Sequence, residues 1–144
     1  MVLTRSMSKP RPRAMIRIKR VLRYLKGTTS IGLTYSEDAE NGYELTAYVD
    51  ADHAGDMDKE YSTTGVVVCL AGAPIDWKSV KQTVVSVSTL ESEYVALSKA
   101  CLMVVYLRHL LKTTSSEQSA VTVVFEDNLG AVSTSRSNKI TPRA

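Results

Sequence analysis

Residues 86–97 read SVSTLESEYVAL, and this stretch predicts the start of the helix around which the rest of the chain is arranged. Ser88 precedes Glu91 by three residues, which is the spacing of a capping box, in which each side chain satisfies a backbone donor at the helix start. Apolar residues follow at helical spacing, and no proline or glycine interrupts them before Lys112. The predicted buried face consists of Leu90, Tyr94, Leu97, Cys101, Val104, Leu107 and Leu111.

Glu93 lies beside this apolar stripe, one turn before Leu97, so we expect its carboxylate at the edge of the buried face. An ionised group in that position needs a partner, because burying an unpaired charge is costly. A lysine or a neighbouring backbone group could be that partner, and so could a bound metal ion. The helix by itself does not separate these interpretations.

Length and composition limit the class of protein. The 144 residues suffice for one compact domain with its own core. The longest apolar runs, 66–71 and 101–107, are far shorter than the roughly 20 residues of a membrane-spanning helix, so we expect no membrane partner. Cys69 and Cys101 are interpreted as reduced core residues, which favours an intracellular protein of the cytoplasm or nucleus. A disulfide between them remains open.

The net charge of +3 is unevenly distributed along the chain. Residues 1–28 contain nine of the 18 basic residues and no acidic one, whereas the remainder has nine basic residues against 15 acidic ones, a net of −6. A basic arm before an acidic body is typical of nucleic-acid-binding chains. The arginine-rich, acid-free start also fits a mitochondrial transit peptide.

Turn residues and apolar periodicity predict an α/β fold. A basic helix over 14–26 precedes three strands over 44–50, 64–70 and 75–78, and residues 31–35 can form a further short strand. After the long helix, an apolar run at 121–125 predicts a buried parallel strand, and another helix starts at 129. This order predicts a three-strand antiparallel meander and a fourth strand reached through a helical crossover.

Three carboxylates fall where such a sheet usually binds ligands, at the carboxyl ends of its strands. Asp50 ends the first of the three strands, Asp127 follows the fourth, and Glu93 projects from the helix between them. Grouped carboxylates repel one another, and a divalent cation with a preference for oxygen offsets that repulsion. Magnesium also takes phosphate oxygens, which favours phosphoryl chemistry. Asp52 and Glu91 are the neighbouring acids that could be confused with this set.

Several segments, in the same order and nearly without gaps, resemble the ribonuclease H region of copia-type retrotransposon polyproteins. They are residues 47–56 (AYVDADHAGD), 62–65 (STTG), 74–79 (PIDWKS) with 81–82 (KQ), 88–97 (STLESEYVAL) and 126–128 (EDN). Residues 19–28 (KRVLRYLKGT) resemble the segment that closes the preceding reverse transcriptase region. The resemblance spans about residues 10–144 and divides the chain into residues 1–36 and a ribonuclease H-like domain at 37–144.

The resemblance implies a ribonuclease H-like mixed sheet and a site for two Mg²⁺ ions held by Asp50, Glu93 and Asp127. The expected reaction is cleavage of the RNA strand of an RNA–DNA hybrid, giving a 3′-hydroxyl and a 5′-phosphate, with the 2′-hydroxyl distinguishing RNA from DNA. The reverse transcriptase region of the same polyprotein is the expected protein partner. Lys78, Lys81 and Gln82 are the expected phosphate contacts. Trp77 is expected either to stack on a sugar or base or to pack in the core or rim.

The chain departs from the family pattern in two places. His53 stands where the family usually has tryptophan, and we interpret it as a packing residue rather than a catalytic one. The family continues past residues 142–144 into a last strand and a helix that carries a fourth carboxylate, which we expect to be missing here. The alternative function is therefore a catalytically inactive, truncated remnant that at most binds nucleic acid or a reverse transcriptase partner.

Overall fold

The computed structural model describes residues 12–36, 43–55 and 60–137. The chain divides into two compact units, Met1–Thr34 and Tyr35–Ala144. Helix α1 (Pro12–Gly27) belongs to the first unit. The second contains β1 (Thr46–Asp52), β2 (Thr63–Leu70), β3 (Ala73–Lys81), α2 (Thr89–Thr113), β4 (Val123–Phe125) and α3 (Leu129–Arg136). The part of the predicted basic arm before residue 12 and the expectation about residues 142–144 lie outside the described residues.

The four strands form one mixed sheet in the order β3-β2-β1-β4. β1 is antiparallel to β2, β2 is antiparallel to β3, and β4 is parallel to β1. The predicted meander and helical crossover are therefore confirmed, and the fold class is α/β. The assignment of 1–36 to a reverse transcriptase region stays a prediction.

β1 shows the predicted alternation, because successive side chains of a strand point to opposite faces. Ala47, Val49 and Ala51 are buried, whereas Tyr48 and Asp50 are exposed. The strand continues two residues beyond the predicted end, so Asp50 lies within the strand rather than at its last position.

The N-terminus of α2 confirms the predicted cap. The Ser88 side chain accepts a hydrogen bond of 3.2 Å from the Glu91 N–H, and Glu91 Oε2 accepts one of 2.9 Å from the Val87 N–H. Both bonds satisfy backbone donors that have no partner inside the helix. The helix begins at Thr89, directly after this cap.

The face of α2 that packs against the sheet differs from the predicted stripe. Leu90 and Tyr94 are 39% and 43% exposed, and Cys101 is exposed, so these three assignments were wrong. Apolar residues surround most of the helix, so hydrophobicity does not single out one face, and small residues allow the closest approach to β1 and β2. The buried residues are Ser92, Glu93, Ala96, Ala100, Met103, Val104 and Leu107.

By length and composition alone, α2 is the one helix among the described residues that could cross a membrane. Its buried face, with Ala96 and Ala100, instead packs against β1 and β2 in the hydrophobic core. An apolar helix inside an α/β domain has the same composition as a membrane span. The expectation of no membrane partner stays a prediction.

Other local predictions were wrong. Residues 31–36 form no strand, and the Ser36 N–H donates one backbone hydrogen bond of 3.1 Å to the Ala71 carbonyl. β4 has three residues and is not fully buried, since Phe125 is 48% exposed. Cys69 and Cys101 are free thiols, and only Cys69 is partly buried.

Substitutions on neighbouring helix positions test which face of α2 is buried. Ala100→Leu places a larger side chain where there is no space and is expected to lower the free energy of unfolding by about 1–3 kcal/mol. Cys101→Leu adds volume at an exposed site and is expected to change it by less than about 0.5 kcal/mol. Urea unfolding of both variants measures the difference. A larger loss in Cys101→Leu would contradict the packing described above.

Candidate metal centre

Three carboxylates from different elements meet at one edge of the sheet. Asp50 lies on β1, Glu93 on the first turns of α2, and Asp127 follows β4; one carboxylate oxygen from each lies within 4.8 Å of the others. Tyr48 of β1 pairs with Phe125 of the parallel strand β4. Asp50 follows Tyr48 by two residues and Asp127 follows Phe125 by two residues, so the register places these two acids side by side. The sheet register thus brings together two residues that are 77 positions apart in the sequence.

Glu93 occupies the inner side of this group. It is only 7% exposed, and its Oε2 is buried without a hydrogen-bond partner, although buried polar atoms are normally paired. Asp50 and Asp127 are exposed. The group therefore has a buried inner carboxylate and an outer side open to solvent.

Burial is the main cause that raises the pKa of Glu93, and the charges of Glu126, Asp50 and Asp127 raise it further. The Ala51 N–H acts in the opposite direction, and the result is a pKa of about 7. Of the three partners considered from the sequence, the structure supplies a backbone group, the Ala51 N–H, and the charges that act on this pKa all come from carboxylates. Glu93 is thus close to half-protonated at neutral pH.

Glu126 is a fourth acid at this edge, and it is not among the site residues predicted from the sequence. Its Oε1 accepts a hydrogen bond of 2.9 Å from the Asn128 N–H, while its Oε2 is buried without a partner. Burial, with the charges of Asp127 and Asp50, raises its pKa, and the Asn128 N–H lowers it. Its position directly before Asp127, after an apolar run, was the only available sequence signal.

The turn that carries Asp127 is fixed by β4 on one side and by the capped start of α3 on the other. β4 precedes it, and Asn128 caps α3 by accepting a hydrogen bond of 3.0 Å from the Ala131 N–H. A side chain at Gly130 would come within 2.7 Å of the Leu90 side chain, so glycine permits the close approach of α3 to α2. These constraints place Asp127 beside the helix that carries Glu93.

Three relatives show where this chain belongs. Secreted RxLR effector protein 161 of Plasmopara viticola is 41% identical over 106 residues, covering 74% of this chain and 73% of that protein. The retrovirus-related Pol polyprotein from transposon RE2 of Arabidopsis thaliana is 40% identical over 114 residues, or 79% of this chain. The one from transposon TNT 1-94 of Nicotiana tabacum is 32% identical over 137 residues, or 95% of this chain.

This chain belongs to the same family as the Plasmopara viticola protein, and it is similar to one segment of each of the two retrotransposon Pol polyproteins. It spans 8% and 10% of the lengths of the two Pol polyproteins. No protein-family model matches the sequence, and no solved structure matches the fold.

Gln82 is not available for the predicted phosphate contact. It is 3% exposed, and its Nε2 donates to Thr64 Oγ1 at 3.1 Å and to the Ser92 carbonyl at 2.8 Å. Its Oε1 accepts from Ser86 Oγ at 3.2 Å. Gln82 thus connects β2 to the start of α2 next to Glu93, and its role is structural.

The other predicted nucleic-acid contacts lie on different faces of the sheet. Lys78 lines a cavity of about 330 Å³ on the α2 side, together with Val66 and Lys99. Trp77 is 61% exposed and, by strand alternation, points to the opposite face. Lys81 lies over the ring of Tyr61, with Nζ 4.3 Å from the ring centroid. The predicted residues therefore do not form one surface.

The remaining candidates from the sequence lie outside the carboxylate group. Among the described residues, that group contains neither Asp52 nor Glu91, and the Glu91 carboxylate takes part in the α2 cap. His53 is half-buried, with Nδ1 3.4 Å from Ser62 Oγ, and it is not part of the group. The interpretation of His53 as a packing residue stays a prediction.

The raised pKa of Glu93 predicts how the stability of the metal-free segment depends on pH. Because its carboxyl binds a proton more tightly in the folded chain, the free energy of unfolding should fall as pH rises from about 4.5 to about 7. Glu93→Gln removes this loss and should stabilise the protein at pH 8 by up to roughly 3 kcal/mol, with little effect at pH 5. Urea unfolding in EDTA at both pH values measures this difference.

Glu117→Gln is the matched control, because Glu117 is exposed and pairs with Lys112 away from this edge of the sheet. We expect it to change stability little at either pH. An equal effect of Glu93→Gln at pH 5 and pH 8 would contradict the assigned pKa.

Proposed function

We propose that this chain is the ribonuclease H-type segment of a copia-type retrotransposon polyprotein and that it hydrolyses the RNA strand of RNA–DNA hybrids with Mg²⁺. The observation that carries the proposal is the convergence of Asp50, Glu93 and Asp127, with Glu93 Oε2 buried and unpartnered. The Pol polyprotein relatives and the order of the sheet support it.

These residues fit a hard divalent cation. All three donors are carboxylate oxygens, which Mg²⁺ and Mn²⁺ prefer, and the mutual repulsion within the group is relieved when a cation binds. Glu93 has to lose its proton before it can act as a ligand, so cation affinity should rise with pH through the pKa of about 7. A cation would also satisfy the unpartnered Oε2.

The arrangement of the side chains suits hydrolysis of a phosphodiester. When bound, Mg²⁺ supplies water activation and charge neutralisation at the phosphate. Asp50 and Asp127 are exposed, so a nucleic-acid backbone can approach them from solvent, while the buried Glu93 closes the inner side. Glu93 is positioned by the Gln82 side chain, which holds the adjacent Ser92 carbonyl.

The face of the sheet that carries Asp50 is the proposed substrate side. In the strand register, Tyr48 pairs with Val67 and Val67 pairs with Trp77, so Trp77 lies on the same face as Asp50. Its exposed ring is available to stack on a sugar or base. Lys78 points to the other face and is not proposed as a contact. The reverse transcriptase region of the same polyprotein remains the proposed partner.

Cleavage of a labelled RNA–DNA hybrid by the purified chain tests this function. We expect activity with Mg²⁺, none with EDTA, and a loss of roughly 100-fold or more in Asp50→Asn, because one of the carboxylates that hold Mg²⁺ at the reacting phosphate is removed. Asp52→Asn is the matched control, since it is an exposed acid on the same strand outside the group. It should keep its activity.

Absence of cleavage by a chain shown to be folded would reject the proposal. Binding of nucleic acid that ignores Mg²⁺ and weakens steeply with salt would then favour the alternative of an inactive nucleic-acid binder. The exposed basic residues of α1, including Arg17, Arg20 and Arg23, are the basis for that alternative.

A further inference from the structure

β3 lies at one edge of the sheet, so only one side of its backbone pairs with another strand. The Gln82 N–H donates a hydrogen bond of 2.9 Å to the Ser62 carbonyl, directly beyond the last paired residues of β2 and β3. In an antiparallel ladder, hydrogen-bonded pairs alternate with non-bonded ones. The N–H and C=O groups of Trp77 and Ser79 therefore point away from β2. In the part of the chain that the structure describes, nothing pairs with them.

An apolar groove lies beside this edge, on the α2 side of the sheet. α2 packs on β1 and β2, so β3 extends beyond the helix and leaves a cavity of about 330 Å³ next to it. Val66 and Met103 are buried lining residues. Val80, Leu102 and Tyr106 also line the groove and are exposed, Leu102 to 68% and Tyr106 to 64%. The groove thus offers apolar surface to side chains that arrive from the outer side of β3.

The charges of this groove are predominantly positive. Lys78 and Lys99 are its two cations, and Asp76 is its one acid. Lys78 pairs with Val66 in the strand register, so both side chains lie on the α2 side of the sheet. Neither lysine forms an ion pair with another described residue. A carboxylate that enters the groove would find two cations without partners.

We propose that an extended segment of a partner protein adds to the sheet at β3 and carries apolar and acidic side chains into this groove. Its backbone pairs with the outward groups of Trp77 and Ser79. Every second side chain of the added strand then lies on the α2 side, where apolar residues contact the groove and an acidic one reaches Lys78 and Lys99. Main-chain hydrogen bonds give such a complex its affinity, and the groove gives it sequence preference.

The charges favour a different protein over a second copy of this chain. Pairing of β3 with the same strand of another copy brings two more lysines, Lys78 and Lys99, to a groove that already has an excess of positive charge. Lysine on an edge strand hinders pairing between like strands. An acidic strand is attracted by the same side chains. The proposed binding does not involve the carboxylate group and is independent of Mg²⁺.

Synthetic peptides added to the purified chain, followed by amide nuclear magnetic resonance, test the proposal. The blocked peptide VTETVTET places valine and glutamate in turn on one face of a strand. We expect it to shift the amide signals of Trp77 and Ser79 and to slow their hydrogen exchange at least about ten-fold. VTKTVTKT, the charge-reversed control, should bind at least about ten-fold more weakly. Absence of any effect of VTETVTET at about 1 mM would overturn the proposal.

Two substitutions at one position separate backbone pairing from side-chain contact. Ser79→Pro removes an outward N–H and leaves the bonds to β2 intact, because proline is tolerated where the N–H of an edge strand faces solvent. Ser79→Ala keeps the N–H and is the matched control. We expect Ser79→Pro to lose binding of VTETVTET and Ser79→Ala to retain it. Equal binding by both variants, each shown to be folded by circular dichroism, would contradict strand addition.

Reversal of the groove charge gives a test that does not depend on proline. The double variant Lys78→Glu with Lys99→Glu changes two exposed residues and should prefer VTKTVTKT over VTETVTET. An unchanged preference for VTETVTET would reject the role of the groove. Sedimentation of the unaltered chain supplies the last outcome. A dimer in which the Trp77 and Ser79 amides are protected without peptide would assign this edge to a second copy and overturn the proposal.

Discussion

The close packing of α2 on the sheet is the constraint on which the site depends. Ala96 and Ala100 are fully buried and allow the helix to approach β1 and β2 closely. Glu93, one turn before Ala96, is carried into the interior by the same contact. The hydrogen bonds of Gln82 to Thr64 and the Ser92 carbonyl fix the beginning of the helix against β2. Larger residues at the alanines would move the carboxylate away from its neighbours.

The carboxylate group opposes the stability of the fold. Glu93 and Glu126 each bury an oxygen without a partner, and every additional negative charge raises the cost of ionising the others. Hydrogen bonds from the Asn128 N–H and the Ala51 N–H offset part of that cost. Under the proposed function, a bound cation would offset the remaining cost and would thereby link metal binding to folding stability. Strain of this kind is typical of a functional site.

Much of the candidate site was predictable because its residues occupy positions that topology determines. A strand followed by Asp127, a strand containing Asp50 and a crossover helix with Glu93 bring three acids to one edge of any sheet with this order. Glu126 was not predictable in the same way, because the burial of its Oε2 depends on the turn at Asn128. Gln82 was expected to contact phosphate, yet its amide is enclosed between β2 and α2.

The sequence by itself determined the features that depend on neighbouring residues. These are the Ser88 cap, the alternation along β1 and the order of the elements, because local hydrogen bonds and strand geometry act over a few positions. Only the tertiary structure decided which face of α2 is buried. A helix whose apolar residues are spread around most of its circumference has no preferred side until the sheet selects Ala96 and Ala100 for their small size. Whether a residue is buried depends on the element that packs over it, and for α2 these elements are β1 and β2, which are distant from it in the sequence.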